Sequence, residues 1–166
     1  LGELIAASRN LSPVLLVVGA GPGVGASVAR RFGREGYDVA LLARSPERLT
    51  ALGESLQADG VTTGWSAVDI TDAAALTAAV ERFGGHAGHL DVLHFNPSAF
   101  RQADPLTLTA EELLDDLRLG VAPLLTLLQA ARPFLRPGAR VVVTGSMAAD
   151  QPWHEAASLG VQKAGL

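Results

Sequence analysis

Val14-Leu15-Leu16-Val17-Val18-Gly19-Ala20-Gly21-Pro22-Gly23-Val24-Gly25 is the stretch that decides the fold. Five consecutive apolar residues leave no polar face, the pattern of a parallel strand buried on both sides. The strand runs straight into glycines, and an amphipathic segment follows from Ala26 to Glu35, with Gly36 as its C-cap. Glycines let a backbone turn tightly and come close to a ligand, and a helix N-terminus offers free N–H groups and a positive dipole end. Strand, glycine loop and helix in that order favour a phosphate-binding turn over an ordinary one. Spacing then separates the kinds of nucleotide site. A P-loop ends in Gly-Lys-Ser/Thr, and no lysine occurs between Leu1 and Gly60, which argues against an ATPase. The pattern GxGxxG/A can be laid on Gly21, Gly23 and Ala26, but GxxxGxG fits better, on Gly19, Gly23 and Gly25.

Working outward, Asp38–Ala43 reads as a second strand. Ser45-Pro46-Glu47-Arg48 supplies an N-cap, a proline at N1 and an acidic first turn for a helix to about Ala58. Val61–Val68 is a third strand, and Asp72 to Phe83 is an Ala-rich helix capped by Thr71 or Asp72. Gly84-Gly85 and Gly88 mark a loop, and Asp91–Phe95 a fourth strand. Thr109-Ala110-Glu111-Glu112 opens a helix as a capping box. Pro123 ends or kinks it, and helical character continues to about Leu135. Pro137-Gly138 reads as a turn, Arg140–Thr144 as a fifth strand, and Glu155 to Leu166 as a last helix. Strands alternating with helices over short links predict an α/β fold, a doubly wound parallel sheet in three layers. Nothing divides the chain, so residues 1–166 are expected to form one dinucleotide-binding domain with 1–12 as an N-terminal arm, a short helix or ordered segment. A six- or seven-stranded dinucleotide fold needs more chain after Leu166, so the expectation is a C-terminally incomplete fold.

Composition narrows the classes of function. Of the 166 residues, 48% are hydrophobic and 18% charged, enough to bury a core and unlike a disordered chain. A net charge of −4 gives no basic footprint for nucleic acid. There is no cysteine, hence no disulfide, thiolate nucleophile or Cys-ligated zinc. No apolar run approaches the roughly 18–20 residues of a membrane span, and the N-terminus has no signal pattern, so a cytoplasmic protein with no membrane partner is expected.

Five segments, in order and at matching intervals, resemble the short-chain dehydrogenase/reductase family across nearly the whole chain. The first is the glycine loop, Gly19, Pro22, Gly23, Val24 and Gly25, although Val18 stands where a Thr usually precedes it. The second is Ala43-Arg44-Ser45 at the end of strand two. An acidic residue there would bind the ribose 2′-OH of NAD; Ala43 is neutral and Arg44 can pair with a 2′-phosphate, so the resemblance implies NADP(H) in preference to NAD(H). The basic residue that often precedes the second glycine is replaced by Pro22. The third is Val68-Asp69-Ile70-Thr71, whose Asp lies beside adenine in the family, or is a plain helix cap. The fourth, Leu90 to Ser98, looks like the strand ending in Asn-Asn-Ala-Gly: Asn96 matches the second Asn, while Phe95, Pro97 and Ser98 depart. The fifth, Val141-Val142-Val143-Thr144-Gly145-Ser146, resembles strand five and the catalytic serine, and Lys163 stands where the catalytic lysine belongs.

The resemblance implies a Rossmann-type fold and hydride transfer to or from a small-molecule carbonyl or alcohol. In the family a Tyr exchanges the proton, a Lys four residues later lowers its pKa and holds the nicotinamide ribose, a Ser orients the substrate and an upstream Asn supports a relay water. Ser146 and Lys163 are the catalytic residues retained. Lys163 places the Tyr at position 159, which is Leu159; the Asn position falls near Gly120. The single tyrosine, Tyr37, precedes strand two at the wrong end of the cofactor. His154 is a nearby histidine, read as a solvated loop residue ahead of any acid role. His86 and His89 are read as exposed loop residues and not a metal site; His94 is read as buried and hydrogen-bonded. Ser146 is not in a GxSxG elbow, so a hydrolase lacks support. Two readings stay open: an NADP(H)-dependent oxidoreductase with an atypical active site, or an inactive NADP(H)-binding module serving sensing, regulation or subunit pairing. The family's pairing helices correspond to Thr109–Leu135 and Glu155 onward, implying a homodimer or homotetramer, and Leu124–Leu128 suits such an interface or the core equally.

Overall fold

The structure is a computed structural model that describes residues 12–151 and 153–166. The expected N-terminal arm lies, apart from Ser12, outside the described residues. The strands are β1 (Val14–Val18), β2 (Asp38–Ala43), β3 (Thr63–Ala67), β4 (Leu90–Phe95) and β5 (Leu135–Val143). The helices are α1 (Val24–Arg34), α2 (Pro46–Ala58), α3 (Ala73–Ala87), α4 (Ala110–Gly120), α5 (Ala122–Ala131) and α6 (Ala157–Ala164), with short 3-10 turns at Arg132–Phe134 and Met147–Ala149. The five strands form one parallel sheet in the order β3-β2-β1-β4-β5.

Side-chain alternation along the central strands divides the core. Leu16, Val18, Leu93 and Phe95 pack with Leu76 and Val80 of α3 and Leu127 and Ala131 of α5. Leu15, Val17 and Val92 point the other way, onto Ala26 and Ala29 of α1 and Leu49 and Leu56 of α2. Each fully buried Leu, Val or Phe contributes about 1.5–3 kcal/mol relative to exposure, so the two apolar layers hold the helices on the sheet. The Leu124–Leu128 run mainly serves the first layer: Leu127 is buried, Leu124 and Leu128 are packed against it, and Leu125 is exposed. β5 is less covered, and its neighbours Val141 and Val142 are both exposed.

Local signals placed most helix starts. Ser45 accepts the Arg48 N–H, Asp72 accepts the Ala75 N–H, and Thr109 and Glu112 form the expected capping box. Three readings are corrected. The expected loop at Gly84-Gly85 is helical: α3 runs on to Ala87 and stops at Gly88, which is left-handed at φ 77°. Gly84 is a packing position, because a Cβ there would stand 2.4 Å from the Phe134 ring. The expected turn at Pro137-Gly138 lies inside β5, where pairing with β4 jumps from Leu90↔Leu135 to Val92↔Arg140 and Gly138 takes φ 87°. The bulge absorbs the proline that a regular ladder would exclude. His89, expected exposed, is buried; its Nε2 lies 3.2 Å from the Ser12 carbonyl and 3.4 Å from the Asp91 carboxylate. Asp91 itself ties the base of the sheet by accepting from the Val14 N–H and from Arg136.

Candidate functional site

β1 lies between β2 and β4, so the chain leaves it in opposite directions for its two neighbours, and a crevice opens at the carboxyl ends of the strands. A cleft of about 630 Å³ occupies it. Its walls are Gly19, Ala20, Gly21 and Pro22; Ala43, Arg44, Ser45 and Arg48; Val68 and Ile70; Asn96, Pro97 and Ser98; and Leu119.

The loop is built to approach this space closely. Gly19 has φ 84°, and a Cβ there would stand 3.0 Å from the Pro97 nitrogen. The Asn96 side chain donates to the Gly19 carbonyl at 2.9 Å, while the Asn96 N–H donates to the Val18 carbonyl, so β4 locks the turn. A Cβ on Gly25 would lie 2.6 Å from the Gly19 carbonyl oxygen, so α1 can sit against the loop only without a side chain there. Gly21 and Gly23, in contrast, face open space. The first N–H groups of a helix have no intrahelical acceptor, and α1, unlike α2, α3 and α4, has no side-chain cap to satisfy them.

Arg44 and Arg48 are exposed and make no ion pair among the described residues, and no carboxylate lines the cleft beside them. Glu47 is turned to Ser45, whose hydroxyl donates to it at 3.0 Å; its own backbone N–H and this hydroxyl hold its carboxyl below the usual range. Arg48 was not picked out from sequence, although it stands in the first turn of α2, four residues after Arg44, and shares its wall. Asp69 is exposed and does not line the cleft; its carboxylate accepts the Thr71 N–H at 3.0 Å and the Thr71 hydroxyl at 2.8 Å, which lower its pKa. Gly23, Val24, Gly25, Ser146 and Lys163 also lie outside the cleft lining.

Lys163 is buried near the carboxyl ends of β4 and β5. Its Nζ donates to the Thr144 carbonyl at 2.9 Å and the Pro97 carbonyl at 3.3 Å, joining the ends of β5 and β4 and leaving one of its three protons free. Ser146 lies two residues beyond Thr144, where its Oγ accepts the Ala148 N–H at 3.2 Å. Leu159 is buried against Ala148 and Ala156. Gly120, near the expected Asn position, faces Gln162: a Cβ would stand 2.1 Å from the Gln162 Oε1. Gln162 is fully buried and tied to Ala99 through both ends of its amide, accepting from the Ala99 N–H and donating to its carbonyl, each at 3.1 Å. Beside it, Arg101 grips Asp116 through two bonds of 3.0 and 3.1 Å; burial alone would raise the Asp116 pKa, and Arg101 overrides it.

Of the histidines, His94 is buried as expected, its Nε2 3.0 Å from the Thr144 hydroxyl; burial lowers its pKa and its Nδ1 has no partner. His154 is exposed and His86 is exposed on the last turn of α3. Tyr37 packs edge-on against Phe32. Among the described residues no three His, Asp or Glu side chains converge on a metal, and no helix is long and apolar enough to cross a membrane.

Burial disfavours charge on Lys163 and lowers its pKa from the ordinary 10.5. The folded chain therefore binds fewer protons than the unfolded chain between those two values. This group's contribution to stability rises with pH through that window and is lost as pH falls through the folded pKa. Lys163 is the only lysine in the sequence, so ¹³C reductive methylation gives one lysine resonance to follow. It is expected to titrate at lower pH in the native protein than in urea; equal midpoints would refute the burial argument.

The sequence profile of the short chain dehydrogenase family matches residues 13–166. Tropinone reductase-like 3 of Erythroxylum coca is 29% identical over 154 residues, covering 92% of this chain and 60% of that protein. Among solved structures, a variant of actinorhodin polyketide ketoreductase with NADPH superposes with a TM-score of 0.85 at 27% identity, over 93% of this chain and 60% of that one. An apo short-chain oxidoreductase of Pseudomonas aeruginosa, described as containing an atypical catalytic center, gives 0.87 at 27% identity, over 92% and 60%. The chain thus spans about three-fifths of the length of these relatives. With the glycine cradle, the five-stranded order and a profile match over nearly its whole length all in agreement, the chain belongs to the short-chain dehydrogenase/reductase family of oxidoreductases.

Proposed function

We propose that this chain binds NADP(H) and belongs to an oxidoreductase of atypical active site acting on a small carbonyl or alcohol. The observation that carries the cofactor choice is the cleft wall at Arg44, Ser45 and Arg48: two guanidinium groups without an ion pair among the described residues, and no carboxylate in the lining. A 2′-hydroxyl needs an acceptor there, whereas a 2′-phosphate needs donors and positive charge. The rest of the cradle fits a dinucleotide. Gly21 and Gly23 leave room where side chains would intrude, Gly19 and Gly25 let α1 close on the loop, and the uncapped α1 start offers N–H groups to a pyrophosphate. Pro22 and Val24 belong to the same turn. Ile70 and Val68 supply apolar walls for a base, with Asp69 at their edge, and Asn96 and Pro97 border a ribose. Lys163 has its free proton for a ribose hydroxyl, and Ser146 orients a substrate oxygen.

Bound there, the dinucleotide supplies the hydride. The chain's own residues leave the proton unassigned, since Leu159 is a hydrocarbon buried against Ala148 and Ala156. That packing favours a second reading, a family member that holds NADP(H) for sensing, regulation or subunit pairing without turnover. Fluorescence titration with NADPH and NADH in parallel tests the common part. NADPH is expected to bind much more tightly, and Arg44→Ala to weaken NADPH by about 10–100-fold while barely changing NADH, as for the loss of charged hydrogen bonds of about 1.5–3 kcal/mol. Equal losses for both cofactors would sink the 2′-phosphate assignment, and binding of neither would sink the reading itself.

A further inference from the structure

The loops after β4 and β5 run side by side at the rim of the strand ends. They are joined by an isolated parallel bridge, Ala103↔Ala156, in which the Ala103 N–H donates to the Glu155 carbonyl at 3.0 Å and the Ala157 N–H to the Ala103 carbonyl at 3.3 Å. Phe100 and Trp153 each stand three residues before a bridge position. Their rings meet at 5.7 Å between centroids and 57° between planes, within the range of an aromatic pair. Much of the pair is left in solvent: Phe100 is 64% and Trp153 47% exposed, and Met147, which shares a groove with Trp153, is 75% exposed. Clustered large apolar groups left in water mark binding surfaces more often than scattered ones.

What this rim fits can be read from the groove it borders. Trp153, Met147, Ala148, Gln151 and Ser146 line a groove of about 250 Å³, with no charged side chain among them. The Ser146 Oγ accepts the Ala148 N–H, and its own proton meets no acceptor among the described residues. Lys163 spends two protons on the Thr144 and Pro97 carbonyls. A free hydroxyl donor, the Gln151 amide, the Trp153 ring, a thioether and no charged side chain in the lining favour a neutral molecule with an acceptor oxygen next to a flat ring. A cavity of about 150 Å³ accepts a benzene ring, so this groove has room for a ring and a ketone.

We propose that the groove beyond Ser146 takes an aryl ketone or the corresponding aryl alcohol, its oxygen on the Ser146 hydroxyl and its ring against Trp153 and Phe100. The assignment rests on the oxidoreductase reading in taking Ser146 as the substrate's anchor. The test is ligand-observed saturation-transfer NMR on the 166-residue chain, without NADPH, using acetophenone and cyclohexyl methyl ketone as probes. Acetophenone is expected to bind saturably, at least about threefold more tightly than the cyclohexyl ketone, which has the same oxygen but no π face. Phe100→Ala and Trp153→Ala are expected to weaken it about fivefold or more, and Ser146→Ala about threefold. Phe100 and Trp153 are exposed, so these two variants keep the fold, which unchanged thermal unfolding verifies. Undiminished acetophenone binding in both ring variants, equal binding of the two ketones, or no saturable binding at all would each overturn the proposal. Failure of NADPH to bind in its own titration would overturn the dinucleotide reading and leave the ring contact standing, so the two failures are distinguishable.

Discussion

Gly25→Ala is expected to lower stability by about 3 kcal/mol, the upper end of what overpacking costs, whereas Gly21→Ala four residues earlier leaves it within about 0.5 kcal/mol. The same added methyl group has opposite consequences because the two glycines face different neighbours. At Gly25 it would lie 2.6 Å from the Gly19 carbonyl oxygen and 3.0 Å from the Ala20 Cα, both backbone atoms in a turn fixed by Asn96. Neither can rotate away, so α1 must lift off β1 and disturb the layer around Ala26 and Ala29. At Gly21 the methyl group meets nothing within 4 Å and stands at the cleft. The variant should fold normally and lose NADPH affinity by tenfold or more, because the methyl group takes the space reserved for phosphate. Thermal unfolding should show Gly25→Ala lower by roughly 6–12 °C, and a titration should show the binding loss in Gly21→Ala. A Gly25→Ala protein as stable as its parent would refute the close-packing argument.

Leu159→Tyr carries the largest expected effect on turnover. A positioned proton donor contributes about 10²–10⁴-fold, and the tyrosine would stand one helical turn before Lys163 on α6, on the face packed against Ala148. The gain should fall near the lower figure, about 10²-fold in NADPH-linked ketone reduction. One reason is steric, since the ring must enter a space now filled by leucine against Ala148 and Ala156. The other is that no asparagine stands at position 120 to support a relay water, the Gln162 amide filling the space beside Gly120. A folded, NADPH-binding Leu159→Tyr protein with no gain would favour the binding-module reading. Appreciable ketone reduction by the unmodified chain would exclude that reading and direct attention to another proton source.

How much of this was legible beforehand depended on whether the deciding contact was local. The buried run Val14–Val18, the glycine spacing and the caps at Ser45, Asp72 and Thr109 are contacts between near neighbours in sequence, and each could be read from the residues themselves. Gly84 and Pro137-Gly138 were misread because distant partners decide them: the Phe134 ring needs a glycine in the last turn of α3, and a bulge against β4 absorbs a proline within a strand. His89 was misread for the same reason, its partners Ser12 and Asp91 being brought together only by the sheet. In the site, Arg44 followed from its place after β2, but Arg48 needed the helical geometry of α2 to bring it to the same wall. The Phe100–Trp153 pair needed the bridge between two loops, and Gln162 needed the face-to-face meeting of α4 and α6; neither leaves a periodic trace in the sequence.

The meeting of Gly120 with Gln162 also bears on the routes by which such a site can change over generations. An amide at position 120 and the present amide at 162 claim the same volume, so the two positions are coupled, and substitutions there do not contribute independently. A hydroxyl at 159 takes one amino-acid substitution. An asparagine at 120 fits only after, or together with, a smaller residue at 162, and the first of those steps alone gives up the tie to Ala99. The contact makes the two positions unequal: position 159 is open to one amino-acid substitution, while position 120 is closed by the amide at 162.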